Sequence, residues 1–202
     1  MKVTLLVAML CTAAWPMLAQ ETECTKINAD LDRLACYDKQ SGRTPAVEVK
    51  VDPTSEWFTQ TQLSKLTDQK GVYLSVSSKE NVSCRWDNKS KALLTVRCHE
   101  NTTSVYISTK CHMVSSDYND YGRVNYRIDS NPAKSVDMNE STDNRALGLW
   151  AGGKSIPFIK EMIGGSKFVA RFTPYNESPV ILEFNISGLE KAILPVREQC
   201  KW

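Results

Sequence analysis

Along the chain the spacing of apolar residues changes twice, and each change marks a different kind of segment. Between Val3 and Ala14 the residues are uncharged and mostly apolar. Such a run is too short for a spanning helix, which needs about 20 residues. Residues 20–40 then place Leu31, Leu34 and Ala35 at helical spacing, behind Asn28 or Asp30 as the capping residue. Residues 41–54 contain Gly42, Pro45 and Pro53 among alternating polar positions and read as an extended linker. From Trp57 onwards the period shortens to two. Val72 to Ser77 and Arg123 to Ile128 alternate apolar with polar residues, and Leu93 to Val96 and Val105 to Ile107 have the same character.

Turn chemistry separates these strands at Asp87-Asn88-Lys89, at Glu100-Asn101-Thr102 and at Ser130-Asn131-Pro132. Farther on, Ile156, Ile159 and Ile163 predict a helix that ends at Gly164-Gly165. Lys167 to Phe172 and Val180 to Phe184 predict a hairpin pair. Ser187 is the expected cap of a closing helix with Leu189, Ala192, Ile193 and Val196 inward, kinked or shortened by Pro195. The expected fold is mainly β within the α+β class: an antiparallel, sandwich-like sheet core over residues 55–202, with short helices at both ends.

The first nineteen residues have the plan of an export signal. Lys2 supplies the positive start, the apolar run follows, and Ala19 offers a small residue before cleavage. Removing this leader takes Cys11 from the seven cysteines and leaves Cys24, Cys36, Cys84, Cys98, Cys111 and Cys200. An even set in an exported chain reads as three disulfides, which sequence alone allows to pair in many ways. Cys24–Cys36 is the favoured pair if the chain folds back after Cys24. A turn at Asp87-Asn88-Lys89 sets Cys84 opposite Ala92 or Leu93, which makes Cys84–Cys98 a poor cross-strand pair. Cys98–Cys200 and Cys84–Cys111 are the remaining pairs.

Composition narrows the function. With 42% hydrophobic and 24% charged residues the chain has enough apolar material for a core, and a formal net charge of +2 excludes a strongly basic nucleic-acid binder. Only two histidines, His99 and His112, are present as bases near neutral pH. Both lie beside cysteines on expected strands, where neighbouring side chains point to opposite faces and so cannot share a zinc ion. No Gly-x-Ser-x-Gly or His-Glu-x-x-His pattern occurs, so no catalytic residue, cofactor or metal is assigned. The stretch Asp117 to Gly122 has the outline of a calcium loop, but Tyr121 takes a ligand position and Ile128 stands where the closing acid belongs. It reads as a solvated loop in which Asp117, Tyr118 and Tyr121 form a candidate contact surface, since tyrosine is enriched at interfaces. Six Asn-x-Ser/Thr sequons matter only for a eukaryotic source.

Arg33-Leu34-Ala35-Cys36-Tyr37-Asp38, with Cys24 before it, resembles the N-terminal signature of the VasI/TagO family of type VI secretion-associated proteins. A similar stretch occurs in other exported bacterial proteins, including the outer-membrane phospholipase, but here the likeness continues. Trp57 with Ser64 to Asp68, Thr95 to Thr103, Arg123 to Asp129, Phe158-Ile159-Lys160, Thr173-Pro174-Tyr175, Gly188-Leu189 and Cys200-Lys201-Trp202 follow in the family's order. Cys84 and Cys111 look like additions to that pattern, which supports pairing them with each other. The resemblance implies a periplasmic accessory of a contractile secretion machine. A disulfide-stapled sheet with no assembled acid–base site fits a non-enzymatic binding role in it, with type VI secretion envelope components or peptidoglycan as the expected partners. The alternatives are an exported hydrolase acting on envelope material and a secreted binding or inhibitor protein unrelated to secretion. No nucleic-acid partner and no transmembrane segment in the mature chain are expected.

Overall fold

The structure is a computed structural model that describes residues 24–42, 55–85, 87–116 and 118–202. The expected leader over 1–19 and most of the expected linker, 43–54, lie outside the described residues. The chain divides into two units, Met1–Lys50 and Val51–Trp202. In the first, a 3-10 turn at Cys24–Lys26 precedes helix α1, Asp30–Gln40. Cys24 and Cys36 are bonded with their Cα atoms 5.6 Å apart. The helix therefore starts after Cys24 and the chain folds back, as the bond's reach demands. Its N-cap is Ala29, which gives no side-chain cap, rather than Asn28 or Asp30. Leu34 is exposed, not buried as its spacing predicts.

The second unit is an antiparallel β structure curled into a nearly closed barrel or sandwich. Its strands are β1 (Phe58–Leu63), β2 (Lys70–Cys84), β3 (Asp87–His99), β4 (Thr102–Ser108), β5 (Arg123–Ile128), β6 (Lys134–Asp137), β7 (Asn139–Glu140), β8 (Ala146–Leu149), β9 (Lys167–Phe172) and β10 (Val180–Asn185). They run in the order β6-β5-β9-β10-β2-β3-β4-β8-β7, with β1 also on β2. The long strand β2 joins the two halves. Its first part carries β1, and beyond it Ser78 meets Phe184 of β10, at a register shift between Ser77 and Asn81. A bulge there bends the strand and lets one sheet turn into the next.

Period two becomes burial in a direct way. β5 alternates exposed and buried along its whole length, with Val124, Tyr126 and Ile128 inward. Phe158, Phe168 and Phe184 continue the core from Tyr126, with successive ring centroids 5.0 to 6.1 Å apart. Helix α2 (Gly152–Met162) packs on β4 and β8, and helix α4 (Leu194–Cys200) packs on β2, β3 and β4. Cys98 of β3, fully buried, is bonded to Cys200 of α4 at a Cα separation of 5.7 Å.

Three local expectations are corrected. Cys84 pairs with Asp87, so Asp87-Asn88-Lys89 lies on β3 and the β2–β3 hairpin turns ahead of it. The shifts at Ser77–Asn81 and Val82–Cys84 let β2 continue through polar residues that period-two counting leaves out. The closing helix is interrupted near Pro195, as expected, giving two pieces, α3 (Leu189–Ala192) and α4, because the proline sits in the first turn of the second, where its missing N–H costs nothing. The N-cap of α3 is Gly188 in the left-handed region, not Ser187. By contrast, Glu100 and Asn101 both take positive φ between β3 and β4, the two-residue turn that matches strand twist.

Candidate functional site

Strands β3, β4 and β8 lie side by side and set three residues from distant segments next to one another. Arg97 of β3 stands beside Tyr106 of β4, which is paired with Gly148 of β8. Trp150 follows β8 directly, and its ring stacks on Tyr106 with centroids 5.2 Å apart and planes 26° apart. The Arg97 guanidinium lies 5.4 Å from the centre of Tyr106 and 5.7 Å from that of Trp150. Its Nε donates to Ser104 Oγ at 2.9 Å, and Trp150 Nε1 donates to the Asn139 carbonyl at 3.0 Å. Both groups are therefore held in place rather than free to swing. Gly148 makes the stack possible: a Cβ there would sit 2.6 Å from Tyr106 Cβ and 3.0 Å from the Trp150 ring.

These rings line a cleft of about 510 Å³ together with Glu140, Ser141, Asp143 and Arg145. A hydrogen bond from Ser115 Oγ holds the Glu140 carboxyl below its ordinary range, and one from Ser141 Oγ does the same for Asp143. Burial pushes the Tyr106 phenol up, against the opposing pull of Arg97. At neutral pH the cleft thus presents ionised carboxylates, a guanidinium pair and a neutral phenol.

Asp143 and Arg145 also belong to a second cleft, of about 450 Å³, lined in addition by the bonded pair Cys84–Cys111. His112, Tyr175, Lys110, Arg85 and Glu177 complete it. The Tyr175 ring is edge-on to His112 at 5.6 Å and tilted against Tyr121 at 5.7 Å. Cys84, Cys111 and Glu177 bring potential ligand atoms within 4.8 Å of one another, but both sulfurs are engaged in the disulfide.

The residues singled out in the sequence fall as follows. Asp117 lies outside the described residues. Tyr118 is the most exposed tyrosine, at 77%, in a turn where Asn119 and Asp120 adopt positive φ. Tyr121 is half-buried, bridges to Ser116, and its hydroxyl accepts the Asn176 N–H at 3.3 Å. It therefore faces the Tyr175 side of the second cleft while Tyr118 projects into solvent. His99 is on β3 and lies 6.2 Å from Tyr73, whereas His112 is exposed on an irregular segment and not on a strand. Arg97, Tyr106 and Trp150 are not foreseen as a group. The available signal is Gly148 inside the apolar run Ala146 to Trp150, since a glycine within a strand often marks close approach of another group.

A family model described as "Type VI secretion system VasI, EvfG, VC_A0118" matches residues 23–202. No curated protein matches the sequence. Among solved structures, the chain is similar to a crystal structure of invasion associated protein B from Bartonella henselae, at 9% identity and a TM-score of 0.43. That likeness covers 73% of this chain and 97% of the other.

Proposed function

Because the chain belongs to the VasI/EvfG family of type VI secretion proteins, we propose that it is an exported, non-enzymatic accessory of that machine, acting in the periplasm through contacts with envelope components. The family match over nearly the whole chain carries the reading. Three disulfides support the periplasm, because such bonds persist outside the reducing cytoplasm. The Lys2 start, the apolar run and Ala19 support export. Among the described residues no helix is long and apolar enough to cross a membrane. The contacts of the two imidazoles favour binding over catalysis. His99 and His112 meet the rings of Tyr73 and Tyr175, whereas a general base needs an orienting carboxylate or carbonyl.

The test is complementation of a strain lacking the chain, scored by effector export. The full chain restores export, and a version beginning with Met followed by Gln20, which stays in the cytoplasm, does not. Restoration by both versions overturns the periplasmic reading, and normal export from the deletion strain overturns the accessory role.

A further inference from the structure

We propose that the adjoining clefts at Trp150 and Tyr175 form one binding groove for a neutral glycan, and that its ligand is the glycan strand of the cell wall. This rests on the periplasmic reading above and gives that reading a ligand. Asp143 and Arg145 line both clefts, so the two are neighbours sharing a wall. Each volume lies in the range of ligand-sized cavities. Each cleft is lined by aromatic side chains that are not fully buried, Trp150 with Tyr106 in one and Tyr175 in the other. An aromatic face is electron-rich and attracts the slightly positive C–H groups on the flat side of a sugar ring. A polymer of such rings can occupy both faces at once.

The polar groups fit the same ligand. Across the two clefts Arg85, Arg97, Lys110 and Arg145 stand against Glu140, Asp143 and Glu177, so donors and acceptors are present with cations and carboxylates nearly balanced. Ionised carboxylates accept hydroxyl and amide hydrogens, and a guanidinium donates to ring and carbonyl oxygens. A polyanion calls instead for a surplus of cations, because phosphate neutralisation supplies most of its affinity. An extended peptide typically adds to an open strand edge. Here β4 is paired on both sides, by β3 and β8, and β8 by β4 and β7, so among the described residues the one open edge beside the groove is β7, whose two residues Asn139–Glu140 are too short to template an extended peptide.

The experiment is sedimentation of the purified exported chain with protein-free sacculi, alongside titration with the tetramer of N-acetylglucosamine. The wild type sediments and binds the tetramer, and Trp150→Ala and Arg145→Gln each weaken both by roughly tenfold. Leu66→Ala, at the 91% exposed tip of the β1–β2 turn, leaves both unchanged. If Trp150→Ala lowers the melting temperature, Arg145→Gln carries the comparison, since its side chain is exposed. A wild type that does not sediment, or an Arg145→Gln variant that binds like the wild type, overturns the proposal. Sacculi that fail to bind while the deletion strain still fails to export remove the glycan alone and leave the accessory role standing. A deletion strain that exports normally removes that role whatever the sacculi do.

Discussion

Cys98 at the buried end of β3 is bonded to Cys200 in the last helix, across 102 residues of sequence. The bond closes the chain from the end of β3 to α4 into a loop and clamps α4 onto the strands it covers. Loop-closure entropy makes its removal the most costly of the two bonds in this unit. The chain-entropy relation gives about 4.7 kcal/mol for that loop and about 3.6 kcal/mol for the 27-residue loop of Cys84–Cys111. The double variant Cys98→Ala/Cys200→Ala should therefore unfold at lower denaturant than Cys84→Ala/Cys111→Ala. Urea melts of the two check the order, and equal midpoints contradict it.

Tyr106 and Gly148 face each other across β4 and β8, and the rings above them need the space a side chain would take. Besides the approach to Tyr106, an added Cβ would lie 2.9 Å from the Val105 carbonyl oxygen, which is backbone and cannot move aside cheaply. Gly148→Ala should cost about 1–3 kcal/mol by overpacking and displace the Trp150 ring. Thermal melts measure the first effect, and the indole N–H resonance of Trp150 reports the second. A variant with wild-type stability and an unshifted resonance contradicts this account of the stack.

Tyr126 supplies a test by pH. Its phenol is buried against Phe158 and Phe168 and donates to Glu161 Oε2 at 3.1 Å. Burial and that hydrogen bond push its pKa from 10.0 up to about 12. Folding thus favours the protonated phenol, so its contribution to stability is complete below the ordinary pKa and is withdrawn as pH rises through the folded value. Melting temperature should fall more steeply between about pH 10 and 12 in the wild type than in Tyr126→Phe, which keeps the ring and loses the proton. Parallel curves for the two contradict the assignment. On the acid side the hydrogen bond from Lys134 holds Glu161 below its usual range, so its contribution is present above the ordinary carboxylate pKa and fades as pH falls.

Where one face of a strand is core and the other solvent, the sequence is easy to read. Arg123 to Ile128, Lys167 to Phe172 and the Glu100-Asn101 turn were legible because local chemistry alone decides them. The β2–β3 turn was not, since the bulges that shift Cys84 onto Asp87 are set by the crossing of β2 from one half of the sheet to the other. The short strands β6, β7 and β8 escape notice for a related reason. β8 is buried at all four positions and so shows no alternation. The cleft around Trp150 depends on strand pairing between residues more than 40 positions apart, and no local period encodes that. The tyrosine loop was found from composition, but only Tyr121 contributes to a cleft-side aromatic contact.

The most direct test of the central claim is in-cell periplasmic cross-linking of the tagged native protein, followed by mass spectrometry of what it captures. The account predicts recovery of type VI secretion envelope components or of cell-wall material. An abundant, folded protein that captures neither contradicts it.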